Sequence, residues 1–165
     1  MGLDVRGDDA AWAAVDSIGT YRYALGRSWH GSIFSPRVVC FVLHNPSTAD
    51  HANDDPTLRR CEAFAKREGY DQIVLVNRFA YRATDKAILL DAHDAVGGLN
   101  SEVVPIAFSA ADTVVFAWGK VDHRIDYIPS WQFGFLPRMC LGKNVDGSPK
   151  HPLYLAKNTP LVRFT

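Results

Sequence analysis

Val38-Val39-Cys40-Phe41-Val42-Leu43 is the stretch that indicates the fold class, because six consecutive positions carry no polar side chain. An uninterrupted apolar run of this length is typical of a strand that is buried on both faces of a sheet. Two similar runs follow at residues 72–76 and 113–118. We therefore predict that residues 38–43, 73–76 and 113–118 are parallel neighbours in one sheet.

The segments between these runs predict the helices. Asp55 is a good N-cap, Pro56 suits the first helical position, and Gly69 suits the end of the helix. Its inner stripe is expected to contain Leu58, Cys61, Phe64 and Ala65. Further helices are predicted over residues 8–18, 85–93, from 100 or 103 to 110 with Pro105 in the first turn, and 121–128.

Strand, helix, strand, helix, strand predicts parallel connections with helices on both faces. Residues 21–27 alternate as in an antiparallel or edge strand, and residues 135–141 form a weaker strand that contains Pro137. We expect an α/β fold, a three-layer α/β/α sandwich around a short, mainly parallel central sheet of about four strands. The chain, residues 1–165, is read as a single domain.

Composition limits the classes of function. Lysine plus arginine equals aspartate plus glutamate at 18 each, so nucleic acid is expected to bind through a local patch rather than through overall charge. No apolar run could span a membrane, and the acidic amino terminus lacks the apolar core of a secretory signal, so we expect a cytoplasmic protein. The three cysteines are far apart, which predicts small buried residues rather than a metal site.

Polar residues gather directly after the predicted strands. In parallel sheets, ligands bind outside the carboxyl ends of the strands. The segments concerned are His44–Asp50, Asn77–Arg82, Trp118–Lys120 and Lys150–Leu153. They contain the candidate site residues, which are Asn45, Ser47, Asn77, Arg78, Phe79, Tyr81, Arg82, Trp118 and His151.

Several short motifs resemble a microbial family described only as domain of unknown function 1643. The motifs are Tyr21-Arg22-Tyr23, Asn45-Pro46-Ser47-Thr48-Ala49-Asp50, Asp54-Asp55-Pro56-Thr57, Trp118-Gly119 and His151-Pro152-Leu153-Tyr154. The resemblance covers nearly the whole chain and implies no function.

The order of the loops also resembles the uracil-DNA glycosylase superfamily. Asn45-Pro46 is similar to its water-positioning motif, Asn77 to its base-reading asparagine, and His151-Pro152-Leu153 to a shortened form of its last motif. Two departures are His44, where the superfamily usually has glycine, and the missing Ser-Pro before Leu153. The resemblance implies that Asn45 orients water and that His151 stabilises the departing base.

The residues themselves fit this chemistry, although each also has a structural interpretation. Breaking an N-glycosidic bond requires a group that orients water and a donor to the base. Arg78 and Arg82 combine with Phe79 and Tyr81 into a mixture suited to phosphate contact and base stacking, with Ser47 and Trp118 nearby. Equally, Asn45 suits a turn, Asn77 suits loop-tying, and Phe79 and Trp118 suit core packing.

Three functional hypotheses follow from these residues. The first is a glycosylase-like hydrolase that acts on a base in nucleic acid or in a nucleotide. The second is a non-catalytic module that binds a nucleobase, nucleotide or nucleic acid in the same crevice. The third is a metal-dependent hydrolase centred on Asp50 and Asp54, for which no second carboxylate cluster completes a cage. No phosphate loop or dinucleotide motif is present, so we expect no cofactor and no bound metal.

Overall fold

The computed structural model describes residues 2–29, 34–120, 122, 124, 131 and 133–165. Within them lie eight strands of one mixed sheet, ordered β1-β2-β3-β5-β4-β6-β7-β8. The strands β1 to β8 are Leu3–Gly7, Ala11–Asp16, Arg22–Ser28, Val38–Leu43, Gln72–Asn77, Thr113–Phe116, Arg138–Cys140 and Val162–Arg163. The helices α1 to α3 are Pro56–Arg67, Ile88–Asp91 and Asn100–Ser109, and Pro152–Tyr154 forms a turn of 3₁₀ helix.

The predicted parallel neighbours are confirmed. Strand β4 pairs in parallel with β5 on one side and with β6 on the other, and β6 pairs in parallel with β7. Every residue of β4 is buried, as its apolar run predicts. Strand β3 is antiparallel as predicted, but it is not an edge strand, because β2 and β5 both pair with it.

The predicted fold class, a three-layer α/β/α sandwich with a short, mainly parallel sheet, is wrong. The sheet has eight strands, and antiparallel strands extend the parallel group on both sides. The helices in the described part of the chain are few, and α2 has only four residues. The error arises largely at the amino terminus, where the predicted helix is instead strand β2, paired with β1.

Residues 8–18 do not form the predicted helix. Strands β1 and β2 form an antiparallel hairpin, and the Asp8 carboxylate accepts hydrogen bonds from the backbone N–H groups of Ala10 (2.9 Å) and Ala11 (3.0 Å) in its turn. This carboxylate closes the turn locally and leaves β2 free to pair with β3. The spacing of Trp12 and Val15 fits a helix, but tertiary pairing determines the structure here.

Helix α1 confirms its prediction. The Asp55 carboxylate accepts a hydrogen bond from the Leu58 backbone N–H at 2.8 Å, and Pro56 occupies the first turn. Gly69 follows the helix with φ +76°, a conformation that glycine adopts without strain. The expected inner stripe, Leu58, Cys61, Phe64 and Ala65, is buried against one face of the sheet.

The other predicted helices differ from expectation in extent. Only Ile88–Asp91 of residues 85–93 is helical, and α3 starts at Asn100, so Pro105 lies beyond its first turn. Pro105 has no backbone N–H to donate to the carbonyl of Ser101, four residues earlier. The helix tolerates this loss because Ser101 is exposed to water. The predicted helix at residues 121–128 falls almost wholly outside the described residues.

Two apolar cores lie on the two faces of the sheet. Helix α1 packs on the face that carries Phe41, Leu43 and Leu75, and α3 packs on the opposite face. All three cysteines are buried and unbonded, as predicted. No helix among the described residues is long and apolar enough to cross a membrane.

Candidate functional site

The candidate site is a cleft of about 630 Å³ at the carboxyl ends of β4 and β5. The chain leaves β4 toward α1 on one face, whereas Trp131, Phe133 and Leu136, which follow β6, pack on the opposite face. Where loops diverge in this way, a parallel sheet leaves a crevice between them. The cleft volume is within the range of small-molecule sites.

Asn45 lies in the cleft at the end of β4. Its Nδ2 donates to the carbonyl oxygens of Ala83 at 2.7 Å and of Pro46 at 3.0 Å. These two bonds fix the carboxamide so that Oδ1 is the remaining polar atom of the side chain. Asn45 therefore ties two loops together, and as a residue that lines the cleft it has Oδ1 left as a hydrogen-bond acceptor.

His151 also lines the cleft, although it is 106 residues from Asn45 in the sequence. Its Nδ1 accepts a hydrogen bond from the Leu153 backbone N–H at 3.3 Å. Burial and then the charge of Lys86 lower the pKa of His151 to about 4, against the opposing effect of Asp55. At neutral pH the ring is therefore uncharged and carries its proton on Nε2, which makes it a donor.

Arg22 reaches the cleft because of an irregularity in β3. Ala14 pairs with Ala24, but Val15 pairs with Arg22, so Tyr23 is an extra residue in β3. Cross-strand partners point to the same face of a sheet, and Val15 belongs to the core on the α1 face. The bulge therefore turns the Arg22 side chain toward the α1 face, where the cleft lies.

The Arg22 guanidinium is buried, with 2% of the residue exposed. Nη1 donates to the Ala49 carbonyl oxygen at 2.7 Å, and Nε has no hydrogen-bond partner among the described residues. Burial, chiefly, lowers the pKa of Arg22 to about 10, so the group remains charged at neutral pH. A buried cation that lines a cleft without an ion-pair partner is well placed to bind an anion.

The charges around the cleft are mostly positive, although the chain as a whole has no formal net charge. Among the described residues, the cations that line the cleft are Arg22, Lys86, Lys120 and Lys150, and the one lining carboxylate is Asp55. Asp55 is already bonded to the amino end of α1. This local excess of positive charge favours an anionic ligand.

Three of the candidate residues after β5 are buried and do not line the cleft. Asn77 is fully buried, and its carboxamide atoms have no hydrogen-bond partner among the described residues. Arg78 is 1% exposed, and its guanidinium lies 5.8 Å from the Phe79 ring centroid. Phe79 packs with Ala83 and Leu89 in a small apolar cluster.

The four remaining candidates differ in where they lie relative to the cleft. Ser47 lines it. Arg82 donates to the carbonyl oxygens of Ser47 and Thr48 at 3.3 and 3.4 Å and so holds their loop. Tyr81 makes an edge-on ring contact with Tyr21, and Trp118 packs against the core on the α3 face.

The two carboxylates of the metal hypothesis have other partners. Asp50 Oδ1 accepts hydrogen bonds from the backbone N–H groups of Ala52 and Asn53, both at 2.8 Å. Asp54 forms an ion pair with Arg27 at 2.8 Å. Among the described residues, no three histidine, cysteine, aspartate or glutamate side chains are grouped as metal ligands would be.

Sequence reasoning missed Arg22 and Lys86 as site residues. Strand β3 runs antiparallel to β5, so β3 begins at the edge of the sheet where β5 ends. A residue near the start of β3 is therefore placed close to the cleft. If the side chains of β3 alternated strictly, however, Arg22 would point to the face opposite that of Leu25. The bulge at Tyr23 turns Arg22 to the same face as Leu25. Lys86 follows the predicted loop after β5 and carries no motif of its own.

The fold and the cleft together define a mixed α/β protein with a basic crevice at the carboxyl edge of its sheet. The family model described as "Protein of unknown function (DUF1643)" matches residues 22–153. The chain therefore belongs to this family, as its motifs predict. No curated protein and no solved structure matches the chain, so these comparisons do not support the resemblance to uracil-DNA glycosylases.

Proposed function

We propose that this protein is a glycosylase-like hydrolase that cleaves the bond between a nucleobase and its sugar. The observation that carries the proposal is that Asn45 and His151 line one cleft and offer it opposite hydrogen-bonding groups. The acceptor is Asn45 Oδ1, and the donor is the Nε2–H of neutral His151. Hydrolysis of an N-glycosidic bond requires one group of each kind.

The reaction assigns a separate role to each group. The C–N bond breaks with its electron pair passing to the base, and the His151 Nε2–H donates a hydrogen bond to the negative charge that develops there. Asn45 Oδ1 accepts a hydrogen bond from a water whose oxygen bonds to the sugar carbon. The proton that this water loses neutralises the departing base, so the products are the free base and the sugar.

The neutral state of His151 supports this assignment. An imidazole with a pKa of about 4 stays a donor without a positive charge over the physiological range. Lys86 helps to keep it neutral, because a second nearby cation disfavours protonation. The donor is thus present before the substrate binds and requires no proton uptake.

Release of free base from nucleosides, nucleotides and single-stranded DNA tests the proposal. We expect His151→Leu to lower the rate by about 100-fold, the cost of removing one such donor. His151→Gln, which keeps an N–H donor, should recover part of the activity. The control is His93→Leu, since His93 is exposed and does not line the cleft.

Asn45→Ala tests the other half of the site. Because Asn45 Nδ2 holds the Ala83 carbonyl, the melting temperature has to be measured alongside the rate. A fall in kcat in a variant that remains folded supports the water-positioning role. If the parent binds nucleobases and releases none, the protein is a binding module and the hydrolase proposal is overturned.

A further inference from the structure

We infer that Arg22 and the lysines around it form a phosphate subsite, so that the ligand of this cleft is a free nucleoside monophosphate rather than a nucleic-acid strand. The inference rests on the proposed function, since it names the substrate class of the same site. It is carried by the placement of Arg22, which neither Asn45 nor His151 explains.

In the part of the chain that the structure describes, Arg22 has no ion-pair partner of the kind that a buried arginine normally has. Its guanidinium has five N–H donors, and the described residues provide one acceptor, the Ala49 carbonyl oxygen. Among the described residues, the buried Nε has no hydrogen-bond partner and no carboxylate forms an ion pair with the group. Arg27, five residues later on β3, has such a partner in Asp54 at 2.8 Å.

The chain thus bears the cost of burying a charge with which no acidic side chain among the described residues forms a direct ion pair. Burial of this kind is explained if a ligand provides the missing negative charge. A phosphate suits a guanidinium, because two of its oxygens accept parallel N–H donors. Lys86, Lys120 and Lys150 line the same cleft and add positive charge around that position.

Asp55 is the stronger opposing charge near Arg22, ahead of Asp50. Its carboxylate raises the pKa of Arg22, so it lies close enough to act on the guanidinium. It is also the N-cap of α1 and bonds to the Leu58 backbone N–H. Four cations against one carboxylate still leave the cleft positive, so Asp55 reduces the attraction for an anion without reversing it.

The burial of Arg22 favours a terminal phosphate over a phosphate within a nucleic-acid strand. With 2% of the residue exposed, its guanidinium can meet only a group that enters the cleft. An internal phosphodiester carries a nucleotide on each side, and a cleft of about 630 Å³ has the size for one nucleotide. Two of the four residues expected to contact a strand, Arg78 and Phe79, are buried elsewhere.

Binding measured by calorimetry tests the subsite independently of catalysis. The probes are nucleoside 5′-monophosphates, the matching nucleosides, inorganic phosphate and a short single-stranded oligonucleotide without terminal phosphates. We expect at least one monophosphate to bind at least tenfold more tightly than its nucleoside and than the oligonucleotide. Equal affinity for nucleoside and monophosphate, or tighter binding of the oligonucleotide, would overturn the inference.

Arg22→Met is the decisive variant, because methionine fills similar apolar space without the charge. If Arg22 serves ligand binding, the variant should lose the preference for the phosphate while its melting temperature stays equal or rises. If Arg22 is only structural, the melting temperature falls and the preference remains in the folded fraction, which contradicts the inference.

A second variant keeps the test valid if Arg22→Met does not fold. Lys86 and Lys120 are exposed, so Lys86→Ala/Lys120→Ala should fold normally and lower the affinity for the monophosphate more than that for the nucleoside. The matched control is Lys66→Ala/Lys157→Ala, whose lysines lie outside the cleft. An unchanged affinity for the monophosphate in the first pair contradicts the subsite.

The two proposals fail in different ways. A preference for the monophosphate without base release keeps the subsite and rejects the hydrolase. Base release from nucleosides at the same rate as from monophosphates, with no preference in binding, keeps the hydrolase and rejects the subsite.

Discussion

The Cβ atom that Gly119 lacks would lie 3.0 Å from the Cβ of His151. Gly119 also has φ +76°, in the left-handed region that favours glycine. The loop after β6 therefore passes close to the imidazole that lines the cleft. The Trp118-Gly119 motif and the His151-Pro152 motif, far apart in sequence, are thus two sides of one contact.

Gly119→Ala should displace His151 as well as strain the backbone. We expect a loss of about 1–2 kcal/mol in the free energy of unfolding from the left-handed conformation alone. The added methyl group should also shift the imidazole and lower base release. Denaturant unfolding, the NMR signals of His151 and the rate measure these three effects.

Gly147→Ala is the matched control for this variant. Gly147 has a similar φ, +82°, but a Cβ there would meet nothing within 4 Å. It should show the backbone cost without a change at His151. Identical behaviour of the two variants in all three measurements would show that the close contact has no consequence.

The lowered pKa of His151 makes stability depend on pH in a defined direction. The folded-state pKa is about 4 and the ordinary value is 6.5, so the unfolded chain binds the proton more readily between these values. The contribution of this histidine is therefore complete above pH 6.5 and is lost as pH falls toward 4. Denaturant unfolding across this range should show a steeper loss in the parent than in His151→Gln.

An NMR titration measures the same pKa directly. We expect the His151 signals to stay those of a neutral ring at pH 6, because the pKa of His151 is lowered to about 4. A His151 midpoint at or above 6.5 would contradict the neutral donor on which the proposed mechanism depends.

The parallel part of the fold was predictable because a strand that is buried on both faces has an uninterrupted apolar run in its sequence. The run from Val38 to Leu43 is wholly apolar and β4 is wholly buried. Asp55 and Pro56 similarly encode the start of α1 through local bonds. Such signals require no knowledge of what lies across the sheet.

The antiparallel strands were not predictable from the same signals. Residues Ala11–Asp16 contain alanine, tryptophan and valine at spacings that fit a helix as well as a strand, and pairing with β3 decides between them. The candidate site likewise contains residues that local sequence signals predict and a residue that depends on strand pairing. Asn45, His151 and Arg22 all occur in motifs of the sequence, but the orientation of Arg22 toward the cleft depends on a bulge that no local pattern predicts.

Gly26→Ala should disrupt the antiparallel extension of the sheet. Gly26 pairs with Trp12 across β2 and β3, and a Cβ at Gly26 would lie 2.2 Å from the Trp12 indole. The indole has to move to a new position, so we expect lower stability and a changed tryptophan fluorescence spectrum. Gly98→Ala, where a Cβ would meet nothing, should leave both unchanged.

The Arg27–Asp54 ion pair predicts how the loop before α1 responds to metal ions. Arg27 is 9% exposed in its side chain and donates to Asp54 at 2.8 Å and also to the Asp50 carbonyl oxygen. Asp54 is thus held by a cation of the chain itself. We expect extensive chelation, and separately added Mg²⁺, to leave the melting temperature unchanged within error, because a bound ion that stabilised the fold would shift it.

Substitution at Asp54 separates the ion pair from a metal site. Asp54→Asn should cost about 1 kcal/mol or less in stability, because Asp54 is partly exposed and the amide oxygen can still accept from Arg27. Asp4→Asn, which breaks the more exposed pair with Arg6, should cost less still. If chelation instead lowers the parent's melting temperature by several degrees and Asp54→Asn abolishes that response, Asp54 binds a metal ion. The metal-dependent hydrolase would then replace the glycosylase-like proposal, since the water would be activated by the ion and not positioned by Asn45.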